Sequence, residues 1–137
     1  MNVTFNKITG FKGIDKTNSS KNMIDTKTLK EYVNIAADKL VDNERMIPEN
    51  GQYAPLAVYV DIKGEEKTAR IAVEHDPINP KTQRVINLGV HKNGSDKMYS
   101  MYTVSGTKKE ILNYLKNKKS KEEIYNHIVD LANRVED

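Results

Sequence analysis

Alternating apolar residues between positions 56 and 75 restrict the fold of this chain more than any other feature of its sequence. In the first part of the segment every second residue is apolar: Leu56, Val58, Val60 and Ile62. Such alternation places the apolar side chains on one face of a β-strand. The polar run Lys63 to Glu66, which includes a glycine, predicts a turn into a second strand at residues 68 to 75. We therefore expect an antiparallel hairpin with one buried face.

The length of this turn predicts which side chains are neighbours across the hairpin. If the turn comprises residues 63 to 66, Val58 pairs with Ile71 on the buried face. Tyr59 then pairs with Arg70 on the other face. An apolar pair and an aromatic–cation pair are both favourable cross-strand neighbours, so this register is chemically reasonable.

The pattern of strands continues on both sides of the hairpin. The segment Asp76 to Pro80 contains two prolines, which cannot donate to a β-ladder, so the second strand ends there. Residues 84 to 92 alternate again, and Asn93-Gly94 is a favourable turn into a strand at residues 98 to 104. A short alternation near the N-terminus predicts one further strand at residues 2 to 8. The sequence thus predicts an antiparallel β-meander of four to five strands.

Helical periodicity flanks these strands. Three residue pairs have the Ser/Thr-x-x-Glu spacing of a capping box, which predicts the start of a helix. They are Thr28 with Glu31, Thr107 with Glu110, and Ser120 with Glu123. Apolar residues at intervals of three and four follow each pair, which predicts one helix from about 28 to 44 and two helices in the C-terminal third. The polar, turn-forming residues 13 to 25 predict a mobile surface loop.

One helix before the strands and two after them favour an α+β fold. The expected architecture is a two-layer sandwich with all helices on one face of the meander sheet. The chain has 137 residues, which is sufficient for one domain spanning 1–137. The second face of the sheet would then be solvated or would form a binding surface.

Composition excludes several classes of protein. The chain has no cysteine, which excludes disulfide scaffolds, thiol catalysis and cysteine-ligated zinc or iron–sulfur centres. No apolar run approaches the roughly 20 residues needed to cross a bilayer. The first residues also lack a secretory signal. We therefore expect a cytoplasmic protein without membrane contact.

The three histidines provide one candidate for catalysis. His75 lies between Glu74 and Asp76, and either carboxylate could orient it as the general base of a small hydrolase or transferase. However, His75 has the same strand parity as Ile71, so a buried position at the end of the strand explains it equally well. No two histidines have the spacing that places both on one helical turn, and we expect neither a metal nor a cofactor.

Charge is unevenly distributed in the C-terminal third. Residues 105 to 121 contain six lysines and one glutamate, a local net charge of +5, whereas residues 122 to 137 have a net charge of −4. Lys116, Lys118 and Lys119 would form a basic corner between two helices, suited to the phosphates of a nucleic acid. Alternatively, these charges could simply complement the dipoles of the helix ends. The sequence leaves both interpretations open.

Aromatic residues on the sheet suggest a second binding surface. Tyr59 and Tyr102 are predicted on the face away from the helices, near Arg70, and tyrosine and arginine are frequent in protein-binding hot spots. We expect a small intracellular, non-enzymatic binding module whose partner is a protein bound through these three residues. The alternative is a nucleic-acid-binding protein that uses the basic corner. The oligomeric state stays open.

Overall fold

The computed structural model describes residues 24–47 and 55–135, which contain three helices and one four-stranded sheet. The elements in chain order are α1 (Thr26–Asp42), β1 (Leu56–Lys63), β2 (Lys67–His75), β3 (Gln83–Lys92), β4 (Met98–Thr107), α2 (Lys108–Lys116) and α3 (Lys118–Arg134). All neighbouring strands are antiparallel in the order β1-β2-β3-β4, so the predicted meander and α+β fold are confirmed. The predicted strand at residues 2 to 8 lies outside the described residues. So does the predicted loop at 13 to 25, apart from its last two residues.

The helices pack on one face of the sheet, against the apolar side chains that alternate along its strands. The sheet contributes Val58, Val60, Ile62, Ala69, Ile71, Val73, Ile86, Leu88 and Val90 to this core. The helices contribute Leu29, Val33, Ala36, Ala37, Leu40, Ile111, Leu115, Ile124, Tyr125, Ile128, Leu131 and Ala132. A period of two in the strands and of three to four in the helices brings both sets to one interface. We call the opposite face of the sheet, which no described helix covers, the open face.

The register between β1 and β2 differs by two residues from the sequence prediction. Arg70 lies opposite Asp61 instead of Tyr59, so the predicted pairing is wrong. The turn is closed by the Gly64 backbone N–H, which donates to the Lys67 carbonyl oxygen at 2.9 Å. From the turn after β3, the Asn93 side-chain amide donates a hydrogen bond to the Gly64 carbonyl oxygen at 3.1 Å. This contact stabilises the β1–β2 turn from a distant part of the chain. A shift of two residues keeps every side chain on its predicted face, and the predicted faces are correct.

Two of the three predicted helix starts are wrong by about one turn. α1 is capped by Asp25, whose carboxylate accepts a hydrogen bond from the Thr28 backbone N–H at 2.7 Å. α3 is capped by Asn117, whose Oδ1 accepts a hydrogen bond from the Lys119 backbone N–H at 2.9 Å. Ser120 therefore lies inside α3 and does not cap it. Asp and Asn cap helices as well as Ser and Thr do, so a Ser/Thr-x-x-Glu pattern alone does not identify the first residue.

Contacts at both ends of the sheet connect it to the helix layer. At one end the predicted capping box is confirmed: Thr107 Oγ1 accepts from the Glu110 N–H at 3.2 Å, and Glu110 Oε1 accepts from the Thr107 N–H at 2.8 Å. At the start of β2, the buried Lys67 donates from Nζ to the Ala132 carbonyl oxygen, in the last turns of α3, at 2.8 Å. A cation at a helix C-terminus is favourable because it complements the helix dipole.

Candidate functional site

Four residues form one row across the open face of the sheet. Tyr59 in β1 lies opposite Ala72 in β2. On the other side of Ala72, Asn87 in β3 and Tyr102 in β4 continue the row. Since neighbouring strands are about 4.8 Å apart, the backbones of the two tyrosines are separated by about 14 Å. We call these four residues the tyrosine row.

In the tyrosine row, the two aromatic residues at the ends are exposed, whereas the small Ala72 between them is buried. Tyr59 is 38% exposed and Tyr102 is 64% exposed, whereas Ala72 is only 3% exposed. Beside the row, Gly89 is buried because the Met98 side chain lies over it, and a Cβ at Gly89 would be 2.5 Å from Met98 Sδ. The surface between the tyrosines is therefore shallow, with the small Ala72 beside the polar Asn87.

Arg70 holds Tyr59 from the neighbouring strand. Its guanidinium carbon lies 4.3 Å from the centroid of the Tyr59 ring, and its Nε and Nη2 donate to the Asp61 carboxylate oxygens at 2.7 and 3.0 Å. The hydrogen bond to Asp61 raises the pKa of Arg70. From α1, Lys39 donates to the Tyr59 carbonyl oxygen at 3.2 Å. Tyr59 and Arg70 are thus brought together across a diagonal of the sheet rather than as a direct pair.

Glu74 holds the other end of the tyrosine row. Its Oε2 accepts a hydrogen bond from Asn87 Nδ2 at 2.9 Å, and its Oε1 accepts one from the Tyr102 hydroxyl at 3.2 Å. Both exposed tyrosines are therefore held by neighbouring side chains, which restricts their conformations. From the sequence, Glu74 is expected only as a carboxylate beside His75. Glu74 alternates with the core-facing residues of β2, and this position on the open face could have indicated its contacts with Asn87 and Tyr102.

The basic corner lies in the helix layer. Lys116 ends α2, and Lys118 and Lys119 begin α3; all three are exposed. Within residues 24–47 and 55–135, no ion pair involves them. A lysine in the last turn of a helix complements the helix dipole, but a lysine in the first turn opposes it. Helix dipoles therefore explain Lys116 and do not explain Lys118 or Lys119.

The two carboxylates next to His75 in the chain, Glu74 and Asp76, bond to other groups. His75 is buried at the end of the core, and its Nε2 lies 2.8 Å from the Arg45 carbonyl oxygen. Glu74 is on the open face, and Asp76 accepts a hydrogen bond from the Ile78 N–H at 2.7 Å within the following turn. Among the described residues, Glu74 and Asp76 thus bond to other groups, and neither is shown to orient the His75 ring.

A buried ion-pair cluster at the same end of the sheet was not identified from the sequence. Glu44, just after α1, accepts hydrogen bonds from Arg84 Nε and from Lys108 Nζ, the latter at 3.2 Å. The Arg84 and Glu44 side chains are only 5% and 7% exposed. Burial alone would raise the pKa of Glu44, but the hydrogen bonds from Arg84 and Lys108 outweigh it and lower the pKa. Arg84 has the strand parity of the buried Ile86, and an arginine at a core-facing position indicates a buried partner.

Within the part of the chain that the structure describes, no group of three or more histidines and acidic residues is arranged to hold a metal ion. None of the described helices is long and apolar enough to cross a membrane. No family model, no curated protein and no solved structure matches this chain.

Proposed function

We propose that this chain is a non-enzymatic protein-binding module whose binding surface is the open face of the sheet, centred on the tyrosine row. The observation that carries this proposal is the arrangement of Tyr59 and Tyr102, which are exposed, held by neighbours and separated by the low surface at Ala72. Tyrosine and arginine dominate many binding hot spots, and Arg70 lies directly beside Tyr59.

The charge of the open face favours a protein over a nucleic acid as its partner. The carboxylates of Asp61 and Glu74 offset the positive charges of Arg70 and Lys63, so this face has little net charge. Phosphate backbones are bound mainly by surfaces with net positive charge. A shallow surface between two tyrosines, with the small Ala72 and the polar Asn87 at its centre, is instead suited to the mixed apolar and polar side chains of a protein.

Partner capture from the native host tests this proposal. The wild type is compared with a Tyr59→Ala/Tyr102→Ala variant by quantitative mass spectrometry. The matched control, Ile35→Ala/Val41→Ala, removes exposed apolar side chains from α1. We expect a partner that the wild type and the control capture and the tyrosine variant does not.

The captured partner then allows a quantitative test. With purified proteins, the tyrosine variant should bind at least about tenfold more weakly, since loss of one hot-spot residue costs about 2 kcal/mol or more. Equal recovery by all three proteins would overturn the proposal. A wild type that captures no partner above background would also overturn it.

A nucleic acid is the second candidate partner, and the position of Lys118 and Lys119 in the first turn of α3 favours it. Their charges add to the positive end of the helix dipole instead of neutralising it. Fluorescence anisotropy with duplex DNA and single-stranded RNA at two salt concentrations tests this candidate. On duplex DNA, the salt-dependence slope should be about −0.9 per phosphate contacted, and Gln at positions 116, 118 and 119 should reduce it. Absence of binding at low salt would exclude the basic corner as a nucleic-acid site.

A further inference from the structure

Asn93 joins the two turns at one end of the sheet. Its Nδ2 donates hydrogen bonds to the carbonyl oxygens of Gly64 and Glu65, at 3.1 and 3.2 Å, in the turn between β1 and β2. Its Oδ1 accepts a hydrogen bond from the Thr68 hydroxyl at 2.6 Å, at the start of β2. The Asn93 backbone N–H also donates to the Glu66 carbonyl oxygen at 2.8 Å. Asn93 thus links the β3–β4 turn to the β1–β2 turn through its side chain and its backbone.

The side-chain contacts require an amide at position 93. The carbonyl oxygens of Gly64 and Glu65 can only accept hydrogen bonds, and the NH₂ group of an amide supplies the two protons that they need. A carboxylate in the same place would have only acceptor oxygens, so it would face both carbonyl oxygens without a hydrogen bond. Conversion of Asn93 to aspartate would therefore break the side-chain link to the β1–β2 turn.

The residue after Asn93 favours this conversion chemically. Gly94 is exposed and has a φ of 86°, a left-handed conformation that glycine adopts without strain. Because glycine has no side chain, its backbone nitrogen is less hindered than that of other residues when it attacks the side-chain carbonyl carbon of a preceding asparagine. Asn-Gly occurs at 50–51 and at 93–94, and the second pair lies within the described residues. The turn that makes the link therefore also has the dipeptide most prone to lose it.

Deamidation of Asn93 needs only water as a co-reactant. The Gly94 backbone nitrogen attacks Cγ of Asn93, a bond forms between these two atoms, and the Cγ–Nδ2 bond breaks. The proton lost by the Gly94 nitrogen leaves with the side-chain nitrogen as ammonia. Water then opens the resulting succinimide ring. Opening at Cγ gives aspartate, and opening at the backbone carbonyl carbon of residue 93 gives isoaspartate.

The fold opposes the first step of this reaction. Attack draws Cγ of Asn93 towards its own backbone, and the side chain cannot then keep its hydrogen bonds to residues of another turn. The amide must therefore leave Gly64, Glu65 and Thr68 before the ring can close. Local opening of native structure has a free-energy cost, so the reaction should be slowed according to the population of the open form.

We propose that Asn93 is a deamidation site that its contacts with the β1–β2 turn protect, and that deamidation permanently separates the two turns. The loss of ammonia makes the change irreversible, so the modified form accumulates with the age of the molecule. The residues involved are not those of the tyrosine row, and the experiments below need no binding partner. Their outcome therefore does not depend on the protein-binding function proposed for the open face.

The rate of deamidation at Asn93 tests the protection. The full chain and a synthetic peptide of residues 89–98 are incubated at neutral pH, and mass spectrometry follows the exchange of NH₂ for OH. The peptide lacks the β1–β2 turn, so Asn93 should react at least about tenfold more slowly in the full chain, where three side-chain hydrogen bonds must break first. Thr68→Val removes the hydroxyl that donates to Oδ1 and should raise the rate in the full chain about two- to tenfold. The matched control, Thr103→Val in the second half of β4, should leave the rate unchanged.

Asn93→Asp measures the consequence of the modification. The Gly64 N–H closes the β1–β2 turn by donating to the Lys67 carbonyl oxygen at 2.9 Å, so its hydrogen exchange, followed by NMR, reports on that turn. In Asn93→Asp, this N–H should exchange at least about tenfold faster than in the wild type, because a favourable link is replaced by facing acceptors. Asn79→Asp introduces the same charge in the turn between β2 and β3 and should leave the exchange of Gly64 unchanged.

Three results would overturn the proposal. Equal deamidation rates in the full chain and the peptide would show that the β1–β2 turn does not protect Asn93. Wild-type exchange of the Gly64 N–H in Asn93→Asp would show that the turns stay joined without the amide. An Asn93 that keeps its amide in the urea-unfolded chain, while the peptide reacts under the same conditions, would show that it is not a deamidation site.

Discussion

Replacing Ile71 and Arg70 one at a time tests whether the two faces of the sheet differ as the structure shows. The two residues are consecutive in β2, so their side chains lie on opposite faces. Ile71 is fully buried under the helices, and Arg70 lies on the open face. Each substitution therefore serves as the control for the other.

The cost of Ile71→Ala follows from burial. The substitution removes three carbon atoms, and at about 0.8 kcal/mol per buried CH₂ the lost transfer free energy is about 2.4 kcal/mol. The cavity left behind adds to this cost at about 24 cal/mol per Å³. We expect a total loss of about 3–5 kcal/mol in the free energy of unfolding, near the upper end of the range for such substitutions.

The cost of Arg70→Ala should be much smaller. The Arg70 and Asp61 side chains are 33% and 38% exposed, and an exposed ion pair contributes about 0.2–1 kcal/mol. The contact with the Tyr59 ring contributes about 0.5–1 kcal/mol at an exposed site. Asp61 stays in contact with water when Arg70 is removed, so no buried charge is left unpaired. We expect a loss of about 1 kcal/mol.

Urea denaturation of the wild type and both variants at one low protein concentration measures the difference. With an m-value of about 2 kcal/mol per molar, the midpoint should fall by about 1.5–2.5 M for Ile71→Ala and by about 0.5 M for Arg70→Ala. Equal large decreases would show that the open face is buried in solution, and would refute its description as a binding surface. Equal small decreases would refute the assignment of Ile71 to the core.

Further predictions concern three polar groups. Glu44→Gln should cost about 3–5 kcal/mol in denaturation experiments, because it leaves Arg84 buried without its charged partner; a loss below about 1 kcal/mol would contradict this. The pKa of Glu44 is lowered in the folded protein, so its contribution is complete above the unfolded pKa and is lost as the pH falls through the folded pKa. The difference between wild type and Glu44→Gln should therefore shrink in acid. Burial and a hydrogen bond to a carboxylate raise the pKa of Tyr114 to about 12, so its contribution is present below the unfolded pKa of about 10 and is lost as the pH rises towards 12. Tyr114→Phe should accordingly lose less stability above pH 10 than the wild type does, and identical alkaline unfolding curves would argue against this assignment. Asp25→Ala should cost about 0.5–2 kcal/mol as an N-cap, whereas Thr28→Ala should cost less, and the reverse order would identify Thr28 as the cap.

Local periodicity was sufficient to identify the described strands and helices and the face that each residue occupies. Tyr59 and Tyr102 were predicted on one face of the sheet and Val58 and Ile71 on the other, and the structure agrees. This succeeds because burying one face of a strand or helix requires a short-range pattern that each segment carries by itself. An error of two residues in the register leaves that pattern unchanged.

Helix starts were predicted less well, although their signal is also local. Thr107 and Glu110 form the expected capping box, whereas α1 and α3 begin at caps supplied by Asp25 and Asn117. Several residue types can accept a hydrogen bond from the first turn, so more than one residue near each start matches the pattern. The start of α3 bears on the proposed nucleic-acid site, because it places Lys118 in the first turn of that helix.

The sequence by itself thus determined the types of element, their order and the two faces of the sheet. Only the tertiary structure decided the β1–β2 register, the tyrosine row and the Glu44–Arg84 ion pair. Each of these joins residues that are distant in the chain, as when Asn93 bonds to the Gly64 carbonyl oxygen across 29 residues. Periodicity records whether a side chain is buried, which is a property of one segment. The partner of a buried or paired side chain depends on the positions of two segments, which are set only when the sheet and helices pack together.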